Sequence, residues 1–374
     1  MPAVVIFFIA LLLRLLHLWQ LRSTPFFDVL LGDANGYDQW AQRLAAGDWI
    51  GTDVFYQAPL YPYFLGVIYA LFDRDLLVVR IIQALIGSAS CALLGLAATR
   101  LFSPRVGLAA GLGLALWAPA IFFDSLLQKS VLDMFFLCLS LWLIAGIRDQ
   151  GSGIRAAFPL GGSLAAFALT RENGLLLIAV VAIWLGIQHR RQLAYFAAGL
   201  AIVFAPVVVR NYSIDGGIYL TTSQFGSNFY IGNNAAADGT YASIRFGRGA
   251  PEFERIDATE LAEESLGRTL SPAEISSFWT NRALDYIKAQ PGDWLALTGR
   301  KILLLFNRSE MVDTESLESY AEFSWPLRIL GRFTHFGVLV PIAMAGVVLA
   351  WPHRRRLWVI YAMALTYAAS VVMF

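Results

Sequence analysis

A short polar segment between two apolar stretches carries the residues best suited to chemistry. The sequence GDANGYDQWAQRLAAGDW, residues 32–49, places Asp33 where a helix N-cap is expected, and Gly47 where the helix would end. Apolar residues recur at helical spacing between them: Tyr37, Trp40, Ala41 and Leu44. The pattern predicts an amphipathic helix in a membrane interface, with Asp38 off its apolar face. Asp33 then either caps this helix or serves as a carboxylate beside a bilayer.

Other charged residues stand at the edges of later apolar stretches. Asp124 and Lys129 lie in FFDSLLQK, and Arg171 and Glu172 lie in LTREN. Charge at a membrane edge costs free energy unless it is paired or used. The structural alternatives are a helix cap near Ser125 for Asp124, a snorkelling side chain for Lys129, and an ion pair between Arg171 and Glu172.

These residue types together suit the transfer of a group from a lipid phosphate. Asp33 would act as general base on an acceptor hydroxyl, and a cation such as Arg171, Lys129 or Lys301 would offset charge on the departing phosphate. A single carboxylate base without a covalent partner predicts direct displacement, with inversion at the sugar carbon. The candidate catalytic residues are Asp33 and Asp124. The candidate substrate-binding residues are Tyr37, Gln57, Lys129, Arg171, Glu172, Lys301 and Glu310.

The composition excludes a soluble globular protein. Of the 374 residues, 57% are hydrophobic and 15% are charged, and the mean hydropathy is +0.59. The net charge of +1 and the lack of basic, aromatic-rich stretches argue against nucleic-acid binding. Cys91 and Cys138 both lie in apolar stretches, so neither a disulfide framework nor a thiolate metal site is indicated. The fold class is therefore predicted to be an all-α polytopic membrane protein.

Apolar length and arginine placement predict the topology. Spans are expected at 3–21, 76–99, 106–123, 130–147, 155–170, 174–188, 192–210, 326–351 and 357–374. The shorter runs 58–72 and 294–306 are predicted to be interfacial or re-entrant. Arginines fall in alternate connections, so the positive-inside rule predicts a cytoplasmic N-terminus and an external first loop, 22–75.

Three regions follow from this topology. Residues 1–210 form an N-terminal transmembrane module that contains the first loop, and 326–374 form the last spans; we expect the sequence to be truncated there. Residues 211–325 form an external segment. Its first part, 212–241, is predicted to form loops and short strands, and Ser271 with Glu274 predicts a capped helix that ends near Ala289.

Several segments resemble a known family. They are LRLLHLWQL, GDANGYDQWA, AAGDW, QAPLYPYFLGVIY, FFDSLLQK, LTREN and GSNFYIGNNAAADGTY. The chain resembles bacterial GT-C glycosyltransferases of the protein O-mannosyltransferase and aminoarabinose transferase group, in the dolichyl-phosphate-mannose-transferase-like branch. The resemblance implies a helical bundle around a cavity at the outer membrane face, interfacial helices in the first loop, and a polyprenyl-phosphate sugar as donor.

The resemblance also implies roles for individual residues. The family's catalytic base maps onto Asp33, and a second acidic residue on the next outward loop maps onto Asp124. Many relatives carry two adjacent acidic residues at the first position, whereas Ala34 follows Asp33 here. This departure favours a mechanism without metal and leaves a divalent metal ion open as an alternative; no other cofactor is predicted.

The sequence therefore predicts an integral membrane glycosyltransferase of the bacterial cytoplasmic membrane. It would transfer a sugar from a polyprenyl-phosphate donor to a hydroxyl of a protein, lipid or glycan on the external side. The alternative is a transporter or lipid flippase with the same charged cavity. Transporter folds usually contain internal repeats, and none is evident here; the long external segment 211–325 favours an external reaction site.

Overall fold

The chain folds into helices throughout the part that the structure describes. The computed structural model describes residues 2–149, 153–245, 247–248, 251–307 and 314–374, and no strand occurs among them. This confirms the predicted all-α class. The helices are α1 (Pro2–Leu21), α2 (Pro25–Asp28), α3 (Asp33–Ala45), α4 (Leu60–Phe72), α5 (Leu76–Leu101), α6 (Pro104–Ala115), α7 (Ala118–Ser125), α8 (Ser130–Asp149), α9 (Gly153–Thr170), α10 (Gly174–Gln188), α11 (Arg190–Asp215), α12 (Phe225–Gly232), α13 (Pro251–Leu266), α14 (Pro272–Ala289), α15 (Pro291–Leu305), α16 (Leu317–Phe323), α17 (Trp325–Leu330), α18 (Phe336–Ala350) and α19 (Arg354–Met373).

The chain is a multi-pass membrane protein. Within the described residues, five helical stretches are long and apolar enough to cross a bilayer: Pro2–Leu21, Leu76–Leu101, Ser130–Ile147, Arg190–Asp215 and Phe336–Met373. The span predicted at 106–123 is interrupted, because α6 and α7 meet there at a bend of 52°. Pro119, near the start of α7, favours this break. The pair counts as a sixth span if it crosses the membrane as a bent unit.

Glycines allow close contact between α9 and α11. A Cβ on Gly161 of α9 would lie 2.1 Å from the carbonyl oxygen of Phe196, and one on Gly199 of α11 would lie 2.1 Å from that of Phe158. Small residues let helix backbones approach in this way inside membranes. The contact fixes α9 against α11, so that the end of α9 and the segment after α11 lie at the same end of the bundle.

The first loop forms two packed helices, α3 and α4. Tyr37, Ala41 and Leu44 of α3 are buried, as its apolar spacing predicted. Asp38 was expected to lie off this face, yet it is 3% exposed. It accepts hydrogen bonds from Tyr69 at 2.6 Å and from the Arg74 guanidinium at 2.9 Å. The prediction was wrong because a polar residue can be buried when its partners satisfy it.

The segment 212–241 contains a helix, α12, where loops and short strands were predicted. Its packing against α14 overrides the aromatic and β-branched composition. A Cβ on Gly226 would lie 1.9 Å from the carbonyl oxygen of Ser276, so the two backbones meet. The predicted capping box of Ser271 and Glu274 is confirmed at the start of α14.

Asn233 joins α12 to two other helices. Its amide nitrogen donates to the carbonyl oxygen of Met373 in α19 at 2.8 Å, and its amide oxygen accepts from the Trp294 indole of α15 at 2.9 Å. These two hydrogen bonds give the Asn233 side chain of the NFYIGNN segment a structural role. It also brings the end of α19 beside the ends of α9 and α11.

Candidate functional site

A large cavity opens where these helix ends meet. Its volume is about 1310 Å³, and its wall includes five of the predicted site residues: Asp33, Gln57, Lys129, Arg171 and Glu172. Apolar side chains share the wall, among them Leu175, Leu176, Ile218, Phe225 and Val371. Ligand sites of this kind combine apolar surface with a few convergent polar groups. The structure therefore gathers residues that are far apart in sequence into one polar and apolar pocket.

Asp33 enters this cavity from the first turn of α3. The predicted N-cap was displaced by one residue: Gly32 is the N-cap, and no side chain caps the helix. Gly32 has a φ of +52°, and a Cβ there would lie 2.6 Å from Thr314 Oγ1, so this position requires glycine. The Asp33 carboxylate therefore lies at the N-terminal end of α3, on the cavity wall.

Tyr37 supports Asp33 from one turn further along α3. Its hydroxyl donates to Asp33 Oδ2 at 3.5 Å, a long contact, and its ring packs edge-on against Tyr61. Burial raises the pKa of Tyr37, so the hydroxyl keeps its proton and remains a donor. Among the described residues this is the one hydrogen bond to the Asp33 side chain, which leaves most of the carboxylate available to a ligand.

Arg171 and Glu172 lie in the turn between α9 and α10, but they do not pair with each other. Arg171 Nε donates to Asp133 Oδ2 at 2.8 Å. Glu172 Oε1 accepts from Thr222 Oγ1 at 2.8 Å and from Gln224 Nε2 at 2.6 Å. The ion pair considered as an alternative is therefore not formed. Asp133, which the sequence did not single out, orients the Arg171 guanidinium.

Lys129 lies between α7 and α8 on the cavity wall. No hydrogen bond or ion pair engages its ammonium group within the residues that the structure describes. A partly buried lysine without a partner is a ready site for an anion. Lys129 and Arg171 thus provide positive charge in the same cavity as Asp33.

Asp124 does not line the cavity. It accepts from Arg14 Nε at 2.7 Å, and both residues are buried, at 5% and 2% exposure. It lies within α7 and caps no helix, so that alternative role is not formed either. A Cβ on Gly87 would lie 2.0 Å from Asp124 Oδ2, which shows how tightly α5 encloses the pair. This placement gives no support to a contact between Asp124 and a substrate.

Of the two remaining candidates, Lys301 lies elsewhere and Glu310 is not among the described residues. Lys301 is buried and donates from Nζ to the carbonyl oxygen of Gly232 at 2.8 Å, and it is not part of the cavity wall. Glu310 falls outside the described residues. Neither residue is therefore assigned a role at the cavity.

Sequence analysis missed Glu254, on α13. It lines the cavity, and Tyr56 donates from its hydroxyl to Glu254 Oε1 at 3.3 Å. Burial, with repulsion from Asp33 and Glu172, raises the pKa of Glu254 to about 7, although the Tyr56 hydrogen bond and Lys129 act in the opposite direction. The α13 sequence PEFERIDATELAEESL has charges on every face, so no pattern distinguished this glutamate from its neighbours.

The acidic residues do not form an obvious metal site. No cluster of three or more histidine, cysteine, aspartate or glutamate side chains with the geometry to hold a metal ion is found among the described residues. Asp33, Glu172 and Glu254 share the cavity wall but do not meet at one point. Their arrangement leaves the space between them available to a ligand.

Part of the chain is similar to a known protein family. Residues 56–211 match the family model of dolichyl-phosphate-mannose-protein mannosyltransferases. The matched part of the chain contains Gln57, Lys129, Arg171 and Glu172, whereas Asp33 precedes it and Glu254 follows it.

The structure of the chain was also compared with solved structures. It is similar to the crystal structure of the Archaeoglobus fulgidus oligosaccharyltransferase in complex with Zn and sulfate. The TM-score is 0.43, and the sequence identity is 13%. The match covers 100% of this chain and 48% of that one, so the chain spans about half the length of that protein. The comparison with curated proteins gave no match.

Proposed function

We propose that this chain is a GT-C glycosyltransferase, which transfers a sugar from a polyprenyl-phosphate donor to an acceptor hydroxyl with inversion at the sugar carbon. The single observation that carries the proposal is the cavity wall. The Asp33 carboxylate, which accepts a long hydrogen bond from Tyr37, faces the same cavity as the ammonium group of Lys129 and the guanidinium group of Arg171. A carboxylate base and cations in one pocket are the groups that sugar transfer from a phosphate requires.

Each group then has a defined role. Asp33 accepts the proton of the acceptor hydroxyl while its oxygen forms a bond to the sugar carbon, and the bond from that carbon to the phosphate oxygen breaks. Lys129 and Arg171 bind the phosphate in the donor and offset its additional charge as it departs. Tyr37 holds the Asp33 carboxylate in position. The apolar wall formed by residues such as Leu175 and Phe225 supports binding of the prenyl chain.

We place the cavity on the non-cytoplasmic side of a bacterial cytoplasmic membrane. The helices α11 and α19 begin with basic residues and lead to segments that line the cavity, Ile218 after α11 and Val371 in α19. Basic residues favour the cytoplasmic side, so the cavity would lie at the opposite, external face. An acceptor on a protein, lipid or glycan outside the cell would then reach it.

The test is a donor assay on the purified full chain in lipid nanodiscs. A panel of polyprenyl-phosphate sugars, with hydroxyl acceptors, is incubated with the protein, and release of the bare lipid phosphate and formation of the glycoside are followed. We expect release of lipid phosphate with at least one donor, and the glycoside with inverted anomeric configuration. Movement of an intact donor across proteoliposomes, with no lipid phosphate released, would instead establish the transporter alternative.

A further inference from the structure

Glu254 is a carboxyl group of the cavity wall whose surroundings differ from those of Asp33. Resting on the proposed function, we propose that Glu254 is the proton donor to the departing lipid phosphate, opposite in role to Asp33. The family match ends at residue 211, so Glu254 lies on a helix outside the matched segment. The helix α13 packs against α3 and α14 and contributes Glu254 to the wall.

The position of Glu254 on the cavity wall supports this role. The helix α13 packs against α3, and Glu254 and Asp33 line the same cavity. The charged and titratable groups that act on Glu254 from neighbouring elements are Asp33, Lys129, Glu172 and Tyr56. Lys129 is the unpaired cation proposed to hold the phosphate. A carboxyl group near this lysine is therefore at the phosphate end of a bound donor.

The hydrogen bond that Glu254 accepts supports the same role. The hydroxyl of Tyr56 lies 3.3 Å from Glu254 Oε1 and 3.0 Å from Ser227 Oγ, so it fixes one oxygen of the carboxyl group. The second oxygen, Oε2, has no hydrogen-bond partner in the part of the chain that the structure describes. It can hold a proton and present it to a ligand. Glu172, by contrast, already accepts hydrogen bonds from Thr222 at 2.8 Å and from Gln224 at 2.6 Å.

The environments of the two carboxyl groups also differ. Asp33 lies in the first turn of α3 and accepts a hydrogen bond from Tyr37 at 3.5 Å. Glu254 is partly buried, with Asp33 and Glu172 acting on it as negative groups, and its pKa is raised to about 7, so a large share of it carries a proton at neutral pH. A carboxyl group that keeps its proton near neutral pH can act as the acid beside a second carboxyl group that acts as the base.

The proposed step is balanced in protons. The acceptor oxygen bonds to the sugar carbon, and its proton goes to Asp33. The bond between that carbon and the phosphate oxygen breaks, and the proton of Glu254 goes to the departing phosphate. Afterwards the proton on Asp33 returns to Glu254 through water in the cavity. In sum, the acceptor's proton ends on the lipid phosphate, and no other reactant is needed.

The test is the pH profile of kcat/KM for donor cleavage. In the wild type we expect kcat/KM to fall as pH rises through about 7, because Glu254 must be protonated to act. Glu254→Gln should lower kcat by about 100-fold or more with little change in KM, and the alkaline fall should disappear. Glu264→Gln is the matched control, since this exposed glutamate lies on the same helix outside the cavity; it should retain the wild-type rate and profile.

Two further arms keep the test decisive. Tyr56→Phe removes a hydrogen bond that lowers the pKa of Glu254, so the alkaline fall should move to higher pH. A polyprenyl-diphosphate sugar has a less basic departing group, so Glu254→Gln should slow its cleavage less than that of the monophosphate donor. The inference is overturned if Glu254→Gln keeps the wild-type alkaline fall and rate. If the wild type cleaves no donor at all, the proposed function fails instead.

Discussion

Two carboxylates of this protein, Asp124 and Asp33, show how differently one residue type can be used. Both follow an apolar stretch, and both are near basic residues in the sequence or the structure. Asp124 is enclosed with Arg14 at 2.7 Å, and neither side chain reaches the cavity. Asp33 opens into the cavity with one long hydrogen bond from Tyr37. The first arrangement fixes helices to one another, and the second leaves a carboxylate ready to react.

The difference follows from the free energy of desolvation. Two buried ions are tolerated when they pair with good geometry, and losing one of them leaves an uncompensated charge. Asp33 avoids this cost because it remains partly exposed to the cavity. A paired and buried carboxylate has no capacity left for a substrate. We therefore propose a catalytic role for Asp33 and a structural role for Asp124. Variants of the two residues test these roles.

The largest expected effect is the loss of activity in Asp33→Asn. Without its base, sugar transfer should slow by about 100-fold to 10,000-fold, whereas the thermal unfolding temperature should stay close to that of the wild type. Donor cleavage and thermal unfolding in detergent measure the two effects. Asp38→Asn on the same helix is the contrast: it weakens the contacts with Tyr69 and Arg74 and should lower the unfolding temperature. Transfer at the wild-type rate by Asp33→Asn would remove the assignment of the base.

Asp124→Ala should have the largest effect on stability. It leaves Arg14 buried without its partner, which costs about 3–5 kcal/mol in comparable cases. The double variant Arg14→Leu with Asp124→Leu should be more stable than Asp124→Ala, because no unpaired charge remains. Thermal unfolding of the purified variants gives the order. A fully stable Asp124→Ala protein that no longer cleaves donor would contradict the structural role and favour the catalytic one.

Lys129→Ala should raise KM for the donor about tenfold, because the phosphate loses a cation, while Lys129→Arg should recover most of the affinity. Lys301→Ala makes the comparison sharper. Lys301 donates to Gly232 and does not line the cavity, so its loss should lower thermal stability and leave KM unchanged. Steady-state kinetics with one donor separates the two lysines. An unchanged KM in Lys129→Ala would exclude it from the phosphate site.

The sequence predicted the helical class, most helix positions and five residues of the cavity wall, because apolar length and helix signals are local. It failed where the answer depended on packing between distant segments. Asp38 looked solvent-exposed until Tyr69 and Arg74 supplied its partners, and α12 looked like strands until α14 packed against it. Asp124 matched the same pattern as Asp33, and nothing local distinguishes a paired carboxylate from a free one.

Glu254 was missed for a related reason. Its helix is charged on all sides, and the feature that sets Glu254 apart is its electrostatic interaction with groups far away in sequence, such as Asp33 and Lys129. Side chains of this kind become recognisable once the fold brings α13 to the cavity wall. The partial burial of Glu254 also affects stability, and this is the smallest of the expected effects.

Stability should depend on pH through Glu254, independently of any enzymatic activity. Its pKa is about 7 in the folded chain and 4.5 ordinarily, so the folded state holds the proton more tightly than the unfolded state. Stability is therefore highest below about pH 4.5 as far as this group is concerned, decreases as pH rises from there to about 7, and changes no further above it. Glu254→Gln cannot lose a proton, so the difference in unfolding temperature between pH 5 and pH 8 should be smaller than in the wild type by a few degrees. The exposed Glu264→Gln should keep the wild-type difference. An equal pH dependence in Glu254→Gln and in the wild type would show that Glu254 does not contribute to the pH dependence of stability.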